Sequence, residues 1–474
     1  RWPFASKVEG RRRVSRDRER ESGRMSLTAV QMAGLVMAVS MAAVTGGTAV
    51  GPSHMALPTA YQLQHMMWEM EMFIHFSITT YTGSQAGHQD PSLFAPDPAT
   101  LNVSQWVATA KALGAPVAVL TAKHEAGYCI WPSKYSNYTI ARSSTVSGRD
   151  LVREFVDECR SQGVTPGLYF TFGAHGDSID VQVKQMEELT TNYGPIMYWW
   201  FDHHSNDTGH VEIDEVVRKN IPGAVMLGPD SWVTGDESGA ADYPLWYAVN
   251  TTDGTEHARP IGALGPQDEG GFPYGVQFKS WESSCSFFNG CHPWFCCGTV
   301  PSREQAMLLF DSTWGRGSNL ILNLPPNRSG VIEESLVTAA NNFAKDRAAR
   351  YGTPIAAIAA AGDAPIVLHV PTGKGVTRLL LAEITLPTLG QLVGNYTVET
   401  FAADGSWAPV DLGPSECPAH AQRQCGGATI GVRHVDTFTP PLAPTVSKLR
   451  VTVTGNVCPT CPPPQISVKA FSTL

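Results

Sequence analysis

The chain has 474 residues, which is long for one domain, so two domains are the natural expectation. Only 16% of the residues are charged and the net charge is −9, which argues against nucleic acid as a partner and favours a neutral or weakly polar one. The twelve tryptophans supply flat aromatic faces, which occur in hydrophobic cores and also in carbohydrate sites.

Residues 1–54 have the composition of a leader. Residues 1–24 are rich in arginine and cannot pack a core, and we interpret them as an artefact of upstream translation. Residues 29–49 are mostly apolar and end in small residues, which is typical of a cleaved signal peptide. A membrane anchor is the alternative, but no stop-transfer cluster flanks the segment. We therefore expect no stable membrane association after cleavage, and a location in the apoplast, the extracellular space or a lysosome- or vacuole-like compartment.

Cysteines and glycosylation sequons also favour the secretory route. Cys129 and Cys159 stand alone, whereas the remaining eight cysteines occur in two groups, at 285–297 and 417–461. Zinc is the alternative for the second group, but only Cys458 and Cys461 have a knuckle-like spacing, so disulfides are favoured. The sequons begin at Asn102, Asn137, Asn206, Asn250, Asn327 and Asn395.

Strand and helix patterns alternate between residues 72 and 350. The predicted strands are 72–78, 115–122, 167–172, 196–202, 224–228, 276–282 and 319–324. The predicted helices are 98–113, 151–161, 178–192, 213–219, 302–312 and 333–350. This alternation predicts a (β/α) TIM-like barrel over residues 55–350, with 228–276 as a long active-site loop. An open doubly wound sheet is the alternative, but it normally has a phosphate-binding glycine loop, and none is present.

Short β-rich segments separated by Gly and Pro follow at 367–370, 377–381 and 449–454. They predict an all-β sandwich domain over residues 351–474. The alanine-rich run 356–361 is interpreted as a linker or a first turn of that domain.

Polar side chains follow several predicted barrel strands. They are His75, Lys123, His124, Glu125, Tyr169, Asp202, His203, His204 and Asp230. Because the carboxyl ends of parallel barrel strands meet at one rim, these side chains are expected to converge. If Asp202 stood alone at its strand end, its plainer role would be to cap the next secondary-structure element. A zinc site built from His75, His124, His203 and Asp202 is a further alternative, but no HxH or HExxH spacing supports it. We predict no metal and no other cofactor.

Carboxylates, histidines and tryptophans in a secreted barrel suit glycoside hydrolysis, which uses two carboxyl groups. Asp202 is the candidate nucleophile. The candidates for the second carboxyl group are Asp236, Glu237, Glu256 and Glu282. An exposed loop carboxylate without a catalytic role is the alternative for Glu237.

Six stretches carry a more specific signal, at 72–76, 120–135, 167–170, 200–202, 228–237 and 319–326. In this order they resemble the α-L-fucosidases of glycoside hydrolase family 29, over residues 72–330. The resemblance implies a retaining, metal-independent release of terminal α-L-fucose from oligosaccharides or glycoproteins. Carried over by motif, it implies Asp202 as nucleophile and Glu237 as acid/base. It also implies sugar contacts by His75, His124, Tyr169 and Trp200, and a plant-type preference for α1,3/1,4-linked, branched fucose.

The sequence departs from the family pattern at three places. Glu125 replaces the second histidine of a Lys-His-His motif, where it would contact the sugar or shift the pH optimum by coupling to Asp202. Gln85 and Ala86 stand where the family often has Glu-Trp, and His203 replaces a glycine. These departures leave a fucose-binding, lectin-like protein on the same scaffold as the alternative to an enzyme. Residues 285–297 are predicted to shape the leaving-group side, or else to form a loop that disulfides merely staple.

Overall fold

The computed structural model describes residues 55–85, 87–173, 177–203, 210–235, 237–249, 271–273, 275–402, 404–417 and 425–472. The leader, the sequons at Asn206 and Asn250, and the candidates His204, Asp236 and Glu256 lie outside these residues, as does Ala86. Within the described ranges, no helix combines the length and the apolar character that a membrane span needs.

Ten strands belong to the N-terminal part of the described chain. They are β1 (Met70–Ile74), β2 (Val117–Lys123), β3 (Thr165–Thr171), β4 (Tyr198–Asp202), β5 (Val225–Met226), β6 (Ser231–Val233), β7 (Ala248–Val249), β8 (Gln277–Phe278), β9 (Ser280–Ser286) and β10 (Asn319–Asn323). Eight of them form one parallel sheet in the order β5-β4-β3-β2-β1-β10-β9-β6, and β7 pairs separately with β8. A parallel bridge between Leu227 and Ser231 links the two ends of the sheet, so the predicted barrel is confirmed and is nearly closed.

The helices lie before, between and after these strands. They are α1 (Ala60–Trp68), α2 (Thr79–Thr82), α3 (Val103–Leu113), α4 (Leu151–Gln162), α5 (Ile179–Asn192), α6 (His210–Asn220), α7 (Arg303–Thr313), α8 (Glu334–Tyr351) and α9 (Leu386–Leu389). Local sequence determines their starts, because Asn102, Asp150 and Ser178 each accept a hydrogen bond from a backbone N–H of the first turn. Gly114 and Gly163 end α3 and α4 in the left-handed conformation that glycine adopts without strain.

Alternation of side chains along the strands separates two apolar layers. One set points into the barrel and forms a cluster of its own, with Phe73, Val119, Tyr169, Tyr198 and Trp200 among its members. The other set packs against the surrounding helices in a larger cluster. The aromatic side chains inside the barrel therefore lie directly beneath the rim where the strands end.

The C-terminal part is a sandwich of two antiparallel sheets, which confirms the predicted class. Its strands are β11 (Ala356–Ala361), β12 (Ile366–His369), β13 (Val376–Glu383), β14 (Val393–Phe401), β15 (Trp407–Pro409), β16 (His434–Leu442), β17 (Lys448–Asn456) and β18 (Gln465–Phe471). The sheet orders are β11-β18-β13-β16 and β12-β17-β14-β15. The sandwich packs on the barrel, where Arg433 donates to the backbone carbonyl of Trp314 and the Tyr243 and His434 rings stack 4.4 Å apart.

One prediction about an individual segment was wrong and another was incomplete. The run 356–361 is a full edge strand rather than a linker, because pairing with β18 provides the hydrogen bonds that alanine's weak strand propensity does not predict. The segment 228–276 is not simply a loop, since it contains the barrel strand β6 and strand β7. Strand β6 is only three residues long, too short for its alternation to be read from the sequence.

Candidate active site

All seven residues predicted for the site line one pocket of about 830 Å³ at the C-terminal ends of the barrel strands. They are His75, His124, Glu125, Tyr169, Trp200, Asp202 and Glu237. Parallel pairing brings them together, since they follow or lie on the neighbouring strands β1 to β4 or, in the case of Glu237, lie on the loop after β6.

Asp202 ends β4, and two hydrogen bonds orient its carboxylate. The Tyr169 hydroxyl donates a hydrogen bond to its Oδ2 atom, and the backbone N–H of His203 donates to Oδ1 over 2.9 Å. Burial raises the pKa of Asp202 above its ordinary value, while the nearby His203 charge and the Tyr169 hydrogen bond oppose that rise. The carboxylate thus faces the pocket with both oxygens oriented, and the plainer role of an isolated cap does not describe it.

Three stacked rings form one wall of the pocket. His124 stacks on Tyr169 with ring centres 5.0 Å apart, and Tyr169 stacks on Trp200 at 5.1 Å, both nearly parallel. The stack follows from the register, which sets Tyr169 directly opposite Trp200 on β3 and β4. It presents flat apolar faces beside the carboxylate, as carbohydrate sites do.

His75 and His124 are buried and neutral at ordinary pH. Burial lowers the pKa of His75 to about 3, although Asn323 accepts a hydrogen bond from its Nδ1 atom at 2.9 Å. Burial also lowers the pKa of His124, helped by its proximity to His75 and His203. The Nδ1 atom of His124 is buried and has no hydrogen-bond partner among the described residues. A polar ligand in the pocket would supply that partner.

Two of the departures from the family pattern contact each other. The His203 Nε2 atom lies 3.0 Å from Glu125 Oε1 and 3.9 Å from Asp202 Oδ2. The hydrogen bond to Glu125 is the main reason why the pKa of His203 is raised, with the charge of Asp202 adding to it. Glu125 and His203 therefore form a paired acid and base beside Asp202.

Glu237 lies on the loop after β6, with a positive φ of 56°. About a third of its side chain is exposed, and His292 Nε2 lies 3.9 Å from its Oε2 atom. Glu282, in contrast, does not line the pocket: it is fully buried inside the barrel, where its carboxylate accepts from Trp200 and Tyr198. Of the two described candidates for the second carboxyl group, only Glu237 reaches the pocket.

A loop after β9 completes the pocket. The sequence predicted that this loop lies at the site, but it did not identify which of its side chains contact the pocket residues. The lining residues that it contributes are His292, Pro293, Trp294, Phe295, Cys296 and Cys297. Trp294 and Phe295 lie against the His75 ring at 5.1 and 5.3 Å. The loop is more than a stapled connection, and the aromatic doublet beside the cysteines was the signal that could have identified these contacts. Gln85 and Arg328 also line the pocket.

Disulfides join cysteines that are near one another in the sequence. The pairs are Cys285–Cys291, Cys296–Cys297, Cys417–Cys425 and Cys458–Cys461. The first pair ties the pocket loop to β9. Cys129 and Cys159 are buried free thiols.

The zinc set that was the alternative in the sequence analysis does not assemble in the described residues. In the described part of the chain, the group whose ligand atoms converge within 4.8 Å consists of Glu125, Asp202 and His203. His75 and His124 are absent from it and instead pack among aromatic rings. The convergent group is a hydrogen-bonded acid–base cluster, and its Asp202 oxygens already accept from Tyr169 and His203.

A nearly closed (β/α) barrel with carboxylates, imidazoles and stacked aromatic rings at the strand ends is the architecture typical of barrel glycoside hydrolases. The chain belongs to the α-L-fucosidase family, whose family model matches residues 55–345. It is 32% identical over 313 residues to α-L-fucosidase 1 of Arabidopsis thaliana, covering 61% of this chain and 60% of that protein. It is 31% identical over 339 residues to putative α-L-fucosidase 1 of Oryza sativa subsp. japonica, covering 66% of this chain and 64% of that protein.

The fold is shared with solved structures over most of the chain. A glycoside hydrolase 29 family member from an unknown rumen bacterium superposes with a TM-score of 0.74 at 26% identity, covering 90% of this chain and 78% of that one. The sequence matches to the two plant proteins span about six tenths of their length.

Proposed function

We propose that this protein is a retaining exo-glycosidase that releases terminal α-L-fucose from oligosaccharides or glycoproteins, with Asp202 as nucleophile and Glu237 as acid/base. The observation that carries the proposal is the placement of Asp202: its carboxylate lies in the pocket, oriented by two hydrogen bonds, beside a wall of stacked rings. A nucleophilic carboxylate requires this fixed orientation toward an anomeric carbon.

In the proposed reaction Asp202 attacks the anomeric carbon while Glu237 donates a proton to the departing oxygen. Water, deprotonated by Glu237, then releases the sugar from Asp202 with net retention. His75 and His124 are neutral and therefore suited to pair with hydroxyl groups, and the His124 Nδ1 atom, which lacks a partner among the described residues, supports such a contact. Tyr169 and Trp200 offer a flat face to the sugar, and Glu125 accepts from a hydroxyl at the rim.

The test is turnover of a fluorogenic α-L-fucoside by Asp202→Ala. We expect turnover to be abolished, and added azide to restore it with formation of the β-fucosyl azide, because a small anion can enter the space that the carboxylate leaves. Asp230→Asn, which lies on the segment between β5 and β6 and does not line the pocket, is the control. Unchanged turnover in Asp202→Ala would remove Asp202 from this role.

A fucose-binding protein without turnover is the second candidate. The Glu125–His203 pair favours this candidate, because the imidazole of His203, which replaces a glycine of the family pattern, lies within 3.9 Å of the proposed nucleophile. Release of fucose from a branched α1,3/1,4-fucosylated trisaccharide distinguishes the two candidates and also tests the proposed linkage preference. Fucose binding without release would establish the second.

We also propose that the protein is secreted and glycosylated. The four disulfides and the exposed sequon residues Asn102, Asn137 and Asn395 support this. Recovery of the protein from the medium of expressing cells, with a mobility shift on removal of N-glycans, is the expected result. A protein that stays inside the cells without N-glycans would contradict the proposal.

A further inference from the structure

A buried polar network lies inside the barrel beneath the pocket. Its members are His65 on α1, Glu71 on β1, Glu282 on β9, Asn319 on β10 and Arg433, which directly precedes β16 of the sandwich. All five are at most 5% exposed. Burying two carboxylates costs free energy unless they are hydrogen-bonded and compensated, so this network requires an explanation.

Glu282 forms the upper end of the network. Its Oε1 atom accepts a hydrogen bond from the indole Nε1 of Trp200 at 2.5 Å, and its Oε2 atom accepts from the Tyr198 hydroxyl. The indole N–H is the only polar group that a Trp side chain has. Glu282 therefore provides the polar anchor of Trp200, whose ring lines the pocket on its other side.

The lower end of the network supplies compensating charge and hydrogen bonds. His65 Nε2 lies 3.3 Å from Glu282 Oε2 and 3.7 Å from Glu71 Oε1. Asn319 donates to Glu71 Oε1 at 3.0 Å and accepts from Arg433 at 3.1 Å. The side-chain amide of Asn319 therefore connects the guanidinium of Arg433, from the sandwich, to Glu71 inside the barrel.

The upper end connects to the reacting group through the ring stack. Trp200 stacks on Tyr169 with ring centres 5.1 Å apart, and Tyr169 donates to Asp202. A rotation of the indole would displace the phenol that orients the carboxylate. In a close-packed interior such a displacement is transmitted rather than absorbed.

We infer that Glu282 is a positioning residue of the active site, which holds Trp200, and through it Tyr169 and Asp202, from inside the barrel. The inference rests on the proposed function in one respect, namely that the sugar lies against the Trp200 and Tyr169 rings. It assigns a role to a carboxylate that touches neither the pocket nor the substrate.

The experiment compares Glu282→Gln with Glu71→Gln. Both exchange a buried carboxyl group of the same network for an amide, but only Glu282 contacts Trp200. The amide of Glu282→Gln places an NH2 group, which cannot accept, where one of the two carboxylate oxygens accepted, so the hydrogen bonds from the Trp200 indole and the Tyr198 hydroxyl cannot both be kept as they are. We expect kcat/KM for a fluorogenic α-L-fucoside to fall about tenfold or more in the folded Glu282→Gln protein. We expect a fall of no more than about twofold in Glu71→Gln, where the Asn319 bond is kept.

A second measurement tests the hydrogen bond between the Trp200 indole and Glu282 directly. With ¹⁵N-indole-labelled protein, the Trp200 N–H resonance, assigned with Trp200→Phe, is expected to move in Glu282→Gln and to stay in place in Glu71→Gln. Wild-type kcat/KM in folded Glu282→Gln, or an unmoved Trp200 resonance, would overturn the inference, because a merely structural carboxylate would lower only the melting temperature.

A failure of the inference about Glu282 can be distinguished from a failure of the proposed function. Should Glu282→Gln fail to fold, hydrogen exchange in the wild-type protein decides: slow exchange of the Trp200 indole proton supports the anchor and fast exchange overturns it. Absence of fucoside turnover in the wild-type protein would refute the proposed function, while the resonance comparison would still decide whether Glu282 holds Trp200.

Discussion

Tyr169 donates a hydrogen bond to Asp202 from the neighbouring strand, and Thr171 in turn donates to the Tyr169 hydroxyl at 3.0 Å. The pairing of β3 with β4 sets Thr171 opposite Asp202 and Tyr169 opposite Trp200. The sheet register therefore builds a short donor chain that ends on the carboxylate proposed to be the nucleophile, and this chain has measurable consequences.

Replacing Tyr169 by Phe removes the donor while keeping the ring stack. Because this hydrogen bond lowers the pKa of Asp202, its loss lets that pKa rise further. The nucleophile must be ionised, so the acidic limb of kcat/KM should move to higher pH, and the plateau should fall by about tenfold or more. The pH–rate profile on a fluorogenic α-L-fucoside measures both.

The control for Tyr169→Phe is Tyr193→Phe. It also removes a phenol that donates to an aspartate, Asp150, at 2.8 Å, but it lies outside the pocket. Its pH–rate profile should match that of the wild-type protein. An unshifted acidic limb in Tyr169→Phe would show that its hydroxyl does not tune Asp202.

Substitutions of Glu125 and His203 should shift the acidic limb of the kcat/KM profile in opposite directions. His203 lowers the pKa of Asp202 and Glu125 raises it. His203→Gln should therefore shift the acidic limb of kcat/KM to higher pH, and Glu125→Gln should shift it to lower pH. The sign for Glu125→Gln follows from the removed like charge, which raises the pKa of Asp202 in the wild-type protein. Shifts of the same sign in the two variants would contradict this electrostatic account.

Glu237→Gln should discriminate between leaving groups. Without a proton donor, a fucosylated oligosaccharide, whose departing alkoxide is strongly basic, should lose about 10²-fold or more in kcat/KM. An aryl fucoside with an acidic phenol should lose much less in this step, because its leaving group departs without protonation. Azide should restore turnover with an α-fucosyl azide product, the opposite anomer from Asp202→Ala.

His292→Gln provides the comparison for Glu237→Gln, since His292 Nε2 lies 3.9 Å from Glu237 Oε2 on the same side of the pocket. It keeps a proton donor in place, so both substrates should be affected alike. Equal losses on both substrates in Glu237→Gln would assign proton donation to another group.

Removing the Cys285–Cys291 disulfide should loosen the loop that carries Trp294 and Phe295. In Cys285→Ala/Cys291→Ala we expect KM to rise several-fold and kcat to change less, because the loop's aromatic rings contribute binding surface while the carboxylate stays on β4. Cys458→Ala/Cys461→Ala, which removes a short-range disulfide of the sandwich, should leave both parameters unchanged. Equal KM values in the two double variants would exclude a role for the loop staple in binding.

The sequence was sufficient wherever a local pattern reports on structure. Apolar runs and helical spacing identified most of the barrel's strands and helices. Polar residues at strand ends identified five members of the pocket, because the parallel arrangement of a barrel converts a position along the chain into a position on one rim.

The tertiary structure decided which residues that are distant in the sequence contact one another, because short sequence patterns do not encode such contacts. Glu237 and Glu282 look equivalent in the sequence, yet one lines the pocket and the other is enclosed by the barrel, because side-chain direction depends on register and twist. The pairing of Glu125 with His203, 78 residues apart, is of the same kind. Strand β6 is too short to be recognised without β9, which supplies its hydrogen bonds. Local chemistry in the sequence determined the elements and the candidates, whereas closure of the barrel determined which side chains face the pocket and which support it from within.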